Sequence, residues 1–318
     1  MQIGFFDISL MGWLLMATFQ MATPLVLTAL GGMFSERSGV VNIGLEGMML
    51  MGAFSAVAAT YFTHNPWIGV IAGAVSGGLL AVVHAIVCVK LKGNQIVSGT
   101  GIILFATGFT TLMLSVIWHL KGVSPSVTPL PEIVIPQIAG IPIIGIAFSS
   151  VSPLIYLMFA LVPICWYIMY RTPFGLRLRA AGEDPSTLDT AGVSVEKMQI
   201  IGVIISGCLA GLGGTYLSIG FGSEFGKAMT GGRGFIALAA LIFGNWTPFG
   251  CFFAGLFFGF LVGIQYAIQI TPSLGFLTPY TSLIQTIPFI CVIIALGIIR
   301  RSIPPKAIGV AYIKEKRQ

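Results

Sequence analysis

Long runs without a charged side chain, separated by short polar clusters, organise this chain. Residues 8–35 and 93–120 carry no Asp, Glu, Lys or Arg over 28 positions each, and residues 234–299 carry none over 66. A membrane-spanning helix needs about 20 apolar residues, because that length at 1.5 Å per residue crosses a hydrocarbon core of about 30 Å. The pattern predicts spans over residues 9–34, 40–62, 67–89, 95–119, 152–170, 200–221, 234–244, 248–270 and 280–299. Polar stretches between them reach about 30 residues at most, too few to hold a core of their own. The expected fold is all-α: one polytopic membrane domain over residues 1–318, with about 8–10 transmembrane helices, some of them broken or half helices.

Charge then sets direction. Placing Arg37, Lys90, Lys92, the loop 171–197 and the tail 300–318 in the cytoplasm gathers 13 of the 16 Lys and Arg there, leaving Lys121, Lys227 and Arg233 outside. Cytoplasmic loops carry this excess. Nine crossings, with the N-terminus extracytoplasmic and the C-terminus cytoplasmic, satisfy it. Residues 234–244 are too short to cross alone, so they are read as a broken crossing that borrows residues from Ala228 onward. The first apolar run has no Lys or Arg before it and is expected to be retained rather than cleaved as a signal peptide. In the outer loop, about 121–151, five prolines between Pro125 and Pro142 exclude a regular helix. An ordered cover and a plain spacer are both open for that loop.

One polar cluster stands apart. Residues 171–197 hold eight charges in a chain that is only 8% charged, between two uncharged runs of membrane length. Asp184 is a good N-cap, Pro185 suits the first helical position and Gly192 is a natural stop after Ala191, so about two turns of helix are predicted. Two turns are marginal alone in water and call for a packing partner. The loop is read either as a polar connector or as a docking helix for a cytoplasmic protein.

Composition adds exclusions. At 56% hydrophobic the chain is no soluble domain, and its net charge of +6 follows from the cytoplasmic Lys and Arg rather than from a nucleic-acid partner. The five cysteines are widely spaced in apolar runs with no CxxC, and His64, His84 and His119 lie far apart, so no disulfide framework or metal site is indicated. No GxxxxGK[ST], HExxH or GxSxG motif occurs, so no P-loop nucleotide site and no catalytic residues are expected in this chain. Gly69, Gly73 and Gly77, like Gly255, Gly259 and Gly263, recur every four residues and predict close helix packing.

Polar residues inside the spans are the candidates for the substrate pathway. Glu46 is placed about 12 Å into a helix starting near Ser38, with Asn42 a turn earlier on the same face. Carboxylates in membranes mark either a buried hydrogen-bonding partner or a ligand path, and both readings are open. Asn94, Gln95 and Ser98 open the fourth long span, Gln265 and Gln269 share a face of the eighth, and Asn245 and Trp246 stand at a break between apolar pieces. Amides both donate and accept, which suits a neutral nucleobase or polyhydroxylated ligand, although helix-to-helix bonding uses them too.

Three segments carry a family resemblance: GGMFSERSGVVNIGLEGMMLMGAF (from Gly31), TPFGLRLRAAGEDPSTLDTAGVSVEKMQ (from Thr172) and GGRGFIALAALIFGNWTPFG (from Gly231). Together they resemble permease subunits of bacterial ABC importers of the branched-chain amino acid, ribose and nucleoside group, over nearly the whole chain. The resemblance implies a half-transporter in the bacterial cytoplasmic membrane that pairs with itself or a paralogue. Two cytoplasmic ATPase subunits, which hold the ATP and magnesium, and an extracytoplasmic substrate-binding protein or lipoprotein would complete it. It further implies an ATPase-coupling region at Arg179, Ala180, Ala181, Gly182, Glu183, Asp184, Pro185, Leu188, Ala191 and Gly192. ERSGVVNIGLEGMM and FGNWTPFG look most like the nucleoside branch; simple sugars come second and branched-chain amino acids third. An ion-coupled secondary carrier, with Glu46 as proton site, is the alternative from another class.

Overall fold

The computed structural model describes residues 8–135, 137, 141, 143–148, 150–270 and 303–313, and single positions between 283 and 294. Eleven α-helices are described: α1 (Ile8–Arg37), α2 (Leu45–Thr63), α3 (Pro66–Ala85), α4 (Gln95–Trp118), α5 (Ile144–Phe148), α6 (Pro153–Arg171), α7 (Pro173–Glu183), α8 (Pro185–Thr190), α9 (Val195–Thr215), α10 (Arg233–Phe243) and α11 (Pro248–Ile270). Helices α3 and α9 run on into π-helical turns at Ile86–Lys90 and Tyr216–Phe221. Seven of the helices are long and apolar enough to cross a membrane. The expected last span, 280–299, and Arg300 lie largely outside the described residues.

Helix α1 is the axis. Residues 21–36 are buried without a break, as expected of a helix that is apolar on every side. α9, α10 and α11 pack around it, and α2 and α3 close against α9. Apolar side chains gain little from leaving lipid, so close backbone approach must supply the contact energy. Both glycine ladders serve this. A Cβ on Gly73 would strike the Thr215 hydroxyl and the Gly52 carbonyl, and one on Gly77 would strike Gly207 and Gly211 of α9. Gly255, Gly259 and Gly263 let α11 lie on Val26, Ala22 and Ala17 of α1.

Two expected spans are corrected. The one over 40–62 begins only at Leu45: α1 ends in a turn where Ser35 accepts from the Val40 N–H (3.1 Å) and Gly39 takes φ +95°, and residues 38–44 run on as irregular chain. Extension of the short crossing back to Ala228 is not made either. Residues 227–232 form turns, with Ala228, Gly231 and Gly232 at positive φ, so α10 has 11 residues.

The described part of the proline-rich loop, residues 121–135, forms an ordered cover. Ser124, Val127 and Leu130 donate their N–H groups to the carbonyls of Phe225 (2.9 Å), Ser223 (2.7 Å) and Ile219 (2.8 Å), so the loop lies along residues 219–227 as a strand would. Phe225 is fully buried beneath it, 5.3 Å from the Phe54 ring. A groove of about 840 Å³ opens there between residues 128–132, residues 220–223 and Trp67.

Candidate functional site

The charged loop folds into two helices where the sequence predicted one. Thr172 caps α7 by accepting from the Gly175 N–H (3.2 Å), with Pro173 at its first position. Asp184 ends α7 and caps α8, with Pro185 at the first position of α8. The Asp184 carboxylate accepts from the hydroxyls of Ser186 (2.6 Å) and Thr187 (2.5 Å) and from the Thr187 N–H (3.1 Å). Those bonds, the Ser186 hydroxyl first, hold its carboxyl below the usual range, at about 2. Gly192, at φ +78°, closes the turn after Ala191. The packing partner is local: Leu188 is buried against Ala181 and Val195, with Ala180 and Tyr312 beside them. Arg179 lies 4.7 Å over the Tyr170 ring. Glu183, Asp184, Ala191 and Gly192 are exposed and Pro185 half-buried, so the two helices present a knob to solvent.

Behind the knob runs a connected polar core. Gly182 is buried against the end of α1, where a Cβ would meet the Arg37 carbonyl and the Gly39 nitrogen. Arg37 donates from Nε to the Trp246 carbonyl (2.8 Å) and from Nη2 to the Asn245 carbonyl (3.3 Å), and its Nη1 lies 3.8 Å from Glu183. The Trp246 indole N–H donates to the buried Glu36 carboxylate at 2.5 Å. Asn245 and Trp246 are both left-handed, at φ +51° and +52°, which is strained for a tryptophan. The Glu36 and Arg37 bonds hold that turn in place. Asn245 and Trp246 therefore sit with the knob, at the far end of α10 from Glu46.

The other expected residues separate into two groups. Glu46 is in the first turn of α2, so the depth counted from Ser38 does not apply. Its two oxygens accept from the N–H groups of Gly232 (2.9 Å) and Gly234 (2.6 Å), which places a carboxylate on the start of α10. Asn42 does not share its face, because no helix joins them; its amide donates to the Ser206 hydroxyl of α9 (3.0 Å). Gln95 and Ser98 meet around residues 38–44 instead. Gln95 accepts from the Val41 N–H (2.7 Å), and His84 Nε2 lies 3.0 Å from the Val41 carbonyl. A carbonyl only accepts, so Nε2 carries the proton in the singly protonated ring and Nδ1 accepts from Ser98 (2.9 Å). Asn94 is exposed and caps α4 through the N–H groups of Ile96 and Val97. Gln265 is half-buried, and the Gln269 side chain lies outside the described residues.

Sequence reasoning missed α7, Glu36, His84 and the returning tail. Thr172-Pro173 repeats the cap-then-proline signature that revealed α8, and the Glu36-Arg37 pair ends the first uncharged run. In the tail, Ile303, Ala307 and Gly309 donate N–H bonds to the Asn245 side chain (2.9 Å), the Gly182 carbonyl (2.8 Å) and the Gly39 carbonyl (3.0 Å).

Known proteins are similar to this chain in sequence over most of its length. The guanosine ABC transporter permease NupQ of Bacillus subtilis is 42% identical over 95% of this chain and 96% of its own. Nucleoside permease NupC of Lactococcus lactis is 36% identical over 93% of this chain and 95% of its own. A putative glucose ABC transporter permease, TsgC13 of Haloferax volcanii, is 40% identical over 80% and 78%. No solved structure matches. Residues 14–293 match the model of the branched-chain amino acid transport system permease component, and with seven helices fit to cross a membrane among the described residues the chain belongs to that family of multi-pass ABC transporter permeases.

Proposed function

We propose that this chain is one permease half of an ATP-driven importer of nucleosides. Its relatives named for guanosine and for nucleosides align over more of it than the relative named for glucose does. The observation that carries the mechanism is the α7–α8 knob. It is capped, exposed, and joined by backbone packing at Gly182 and by Arg37 to the turn that ends α10. In this reading the knob faces the cytoplasm and docks in a cleft of an ATPase subunit, with the outer loop and the N-terminus extracytoplasmic. In the same reading ATP and magnesium are bound by the ATPase pair, and no cofactor, metal or catalytic residue is assigned to this chain. Closure of that pair pushes α8, shifts the ends of α1 and α10, and opens the path alternately to each side. The energy comes from the different affinity of the two states for nucleotide on the partner.

An extracytoplasmic substrate-binding protein would deliver the nucleoside to the covered end. A second permease, a copy or a paralogue, would pair with this one. Among the described spans α4 is the least enclosed, and nothing lies within 4 Å of a Cβ on its Gly101 or Gly108, which leaves room for a foreign helix. Co-expression with candidate ATPase and binding proteins should give ATP-dependent uptake of labelled guanosine that unlabelled glucose does not compete away. Competition by glucose alone would refute the substrate. Cysteines at Lys121 and Arg171 test sidedness: the first should label in intact cells and the second only after permeabilisation, and the reverse pattern inverts the topology.

A further inference from the structure

We propose that residues 303–313 form the second half of the ATPase-docking surface, so that the knob offered to the partner is α8 and this strap together. The inference rests on the reading of α8 as the docking helix and adds a segment that reading does not use.

The strap is built in rather than loosely draped. Its N–H groups at Ile303, Ala307 and Gly309 bond three separate parts of the knob's support: the α10–α11 turn, the end of α7 and the turn after α1. Tyr312 packs at the edge of the Ala181, Leu188 and Val195 cluster that seats α8. Two grooves of about 330 Å³ each flank α8, and Tyr312 contributes to both. One runs between α8 and the strap, from Glu183, Pro185 and Ser186 on one wall to Lys306, Val310 and Ile313 on the other.

A terminal segment fixed at three points could have turned its apolar side chains inward. Val310 and Ile313 are instead 62% and 74% exposed, beside the most polar stretch of the chain. Single exposed apolar residues need no explanation, but a pair on the wall of a groove, continuous with an exposed helix, marks a protein contact. The opposite rim is acidic at Glu183 and Asp184. Occupancy by a protein carrying an apolar anchor with basic neighbours follows, which is the surface the ATPase must offer if it also receives the Asp184 end of α8.

Val310→Asp and Ile313→Asp test this in the assembled importer, and because both side chains are exposed the permease should insert normally. Each should reduce ATPase recovered with the tagged permease about tenfold, as expected when an anchor at a contact centre is charged, and ATP-dependent guanosine uptake should fall with it. An α8 variant, Asp184→Arg, runs in parallel. Full ATPase recovery by both strap variants while Asp184→Arg loses it would overturn the strap proposal and leave α8 docking intact. Full recovery by all three would overturn the docking reading itself. A benzophenone side chain introduced at position 313 gives an independent readout: light should crosslink it to the ATPase, and crosslinking only to lipid or to the permease would refute the contact.

Discussion

Replacing Glu46 probes the joint on which α10 depends. Its carboxylate, 8% exposed, accepts from two backbone N–H groups at 2.9 and 2.6 Å. Those N–H groups belong to the start of an 11-residue helix whose first turn has no other side-chain cap. Hydrogen bonds to a charged group contribute about 1.5–3 kcal/mol each, and buried donors left unsatisfied cost about 1–3 kcal/mol each. Glu46→Ala should therefore destabilise the permease by about 3–5 kcal/mol, allowing for overlap between those terms. Glu46→Gln keeps one acceptor oxygen but turns an NH₂ group toward a donor, so about half that loss is expected. The assay is the thermal midpoint of the detergent-purified protein followed by size-exclusion chromatography. A drop on the order of 10 °C for Ala, and less for Gln, matches the energies for a chain of this size. Nucleoside preference should not change in the protein that remains. An unshifted midpoint together with altered substrate preference would refute the capping role and make Glu46 a ligand contact.

Gly73→Leu should reduce the amount of folded chain in membranes, because its side chain would enter the space of Thr215 and Gly52, whereas Gly101→Leu, which no residue of this chain crowds, should leave the folding of the single chain, whatever its pairing, near wild type; equal levels would refute the α3–α9 seam. Asp184 has a folded-state value of about 2, below the ordinary 3.8, so the stability its cap contributes is fully present above about pH 4 and is lost as pH falls from there through about 2. Proteolysis or hydrogen exchange of α8 should rise over that window and be raised at every pH in Asp184→Ala; a pH-independent α8 in the wild type would count against the cap. Gly182→Val should lower guanosine uptake per ATP hydrolysed, while Glu183→Gln should leave that ratio close to wild type. The opposite order would mean that the ion pair, not the packing, carries the coupling.

Sequence carried the local chemistry well and the long-range joins poorly. The α8 cap at Asp184, Pro185 after it and the stop at Gly192 are decided within nine residues, so composition alone reveals them. Glycine every fourth residue likewise fixes a helix face wherever that face packs. Residues 38–44 read as helix from the sequence because hydropathy cannot tell a buried irregular segment from a buried helix. Gly39 and Gly44 bracket that segment and were the available sign. From that error came the false pairing of Asn42 with Glu46 on one face. Asn245 and Trp246 show the limit more plainly. Their break in the apolar pattern is visible, but contact with Glu36 and Arg37 spans more than 200 positions and nothing local encodes it.

The contrast between Gly182 and Glu183 turns on stiffness. Glu183 is 43% exposed on its side chain and 3.8 Å from Arg37, and an ion pair of that kind contributes at most about 1 kcal/mol and yields easily to solvent. Gly182 instead sets backbone directly on backbone, against Arg37 and Gly39, and its own carbonyl holds the Ala307 N–H of the strap. Close-packed contacts transmit displacement because they cannot be compressed without a large energy rise. In the proposed mechanism a push on α8 would thus reach the end of α1 through Gly182. Arg37 there holds the Asn245 and Trp246 carbonyls, and those residues terminate α10. α10 spans about 16 Å at 1.5 Å per residue, with Glu46 gripping its other end. A short helix held by a carboxylate at one end and by a strained, over-determined turn at the other would move as a rod rather than bend in that mechanism. In the proposed coupling, movement imposed at the knob would therefore arrive at Glu46, at the start of α2 inside the bundle, without needing any charge to cross the membrane.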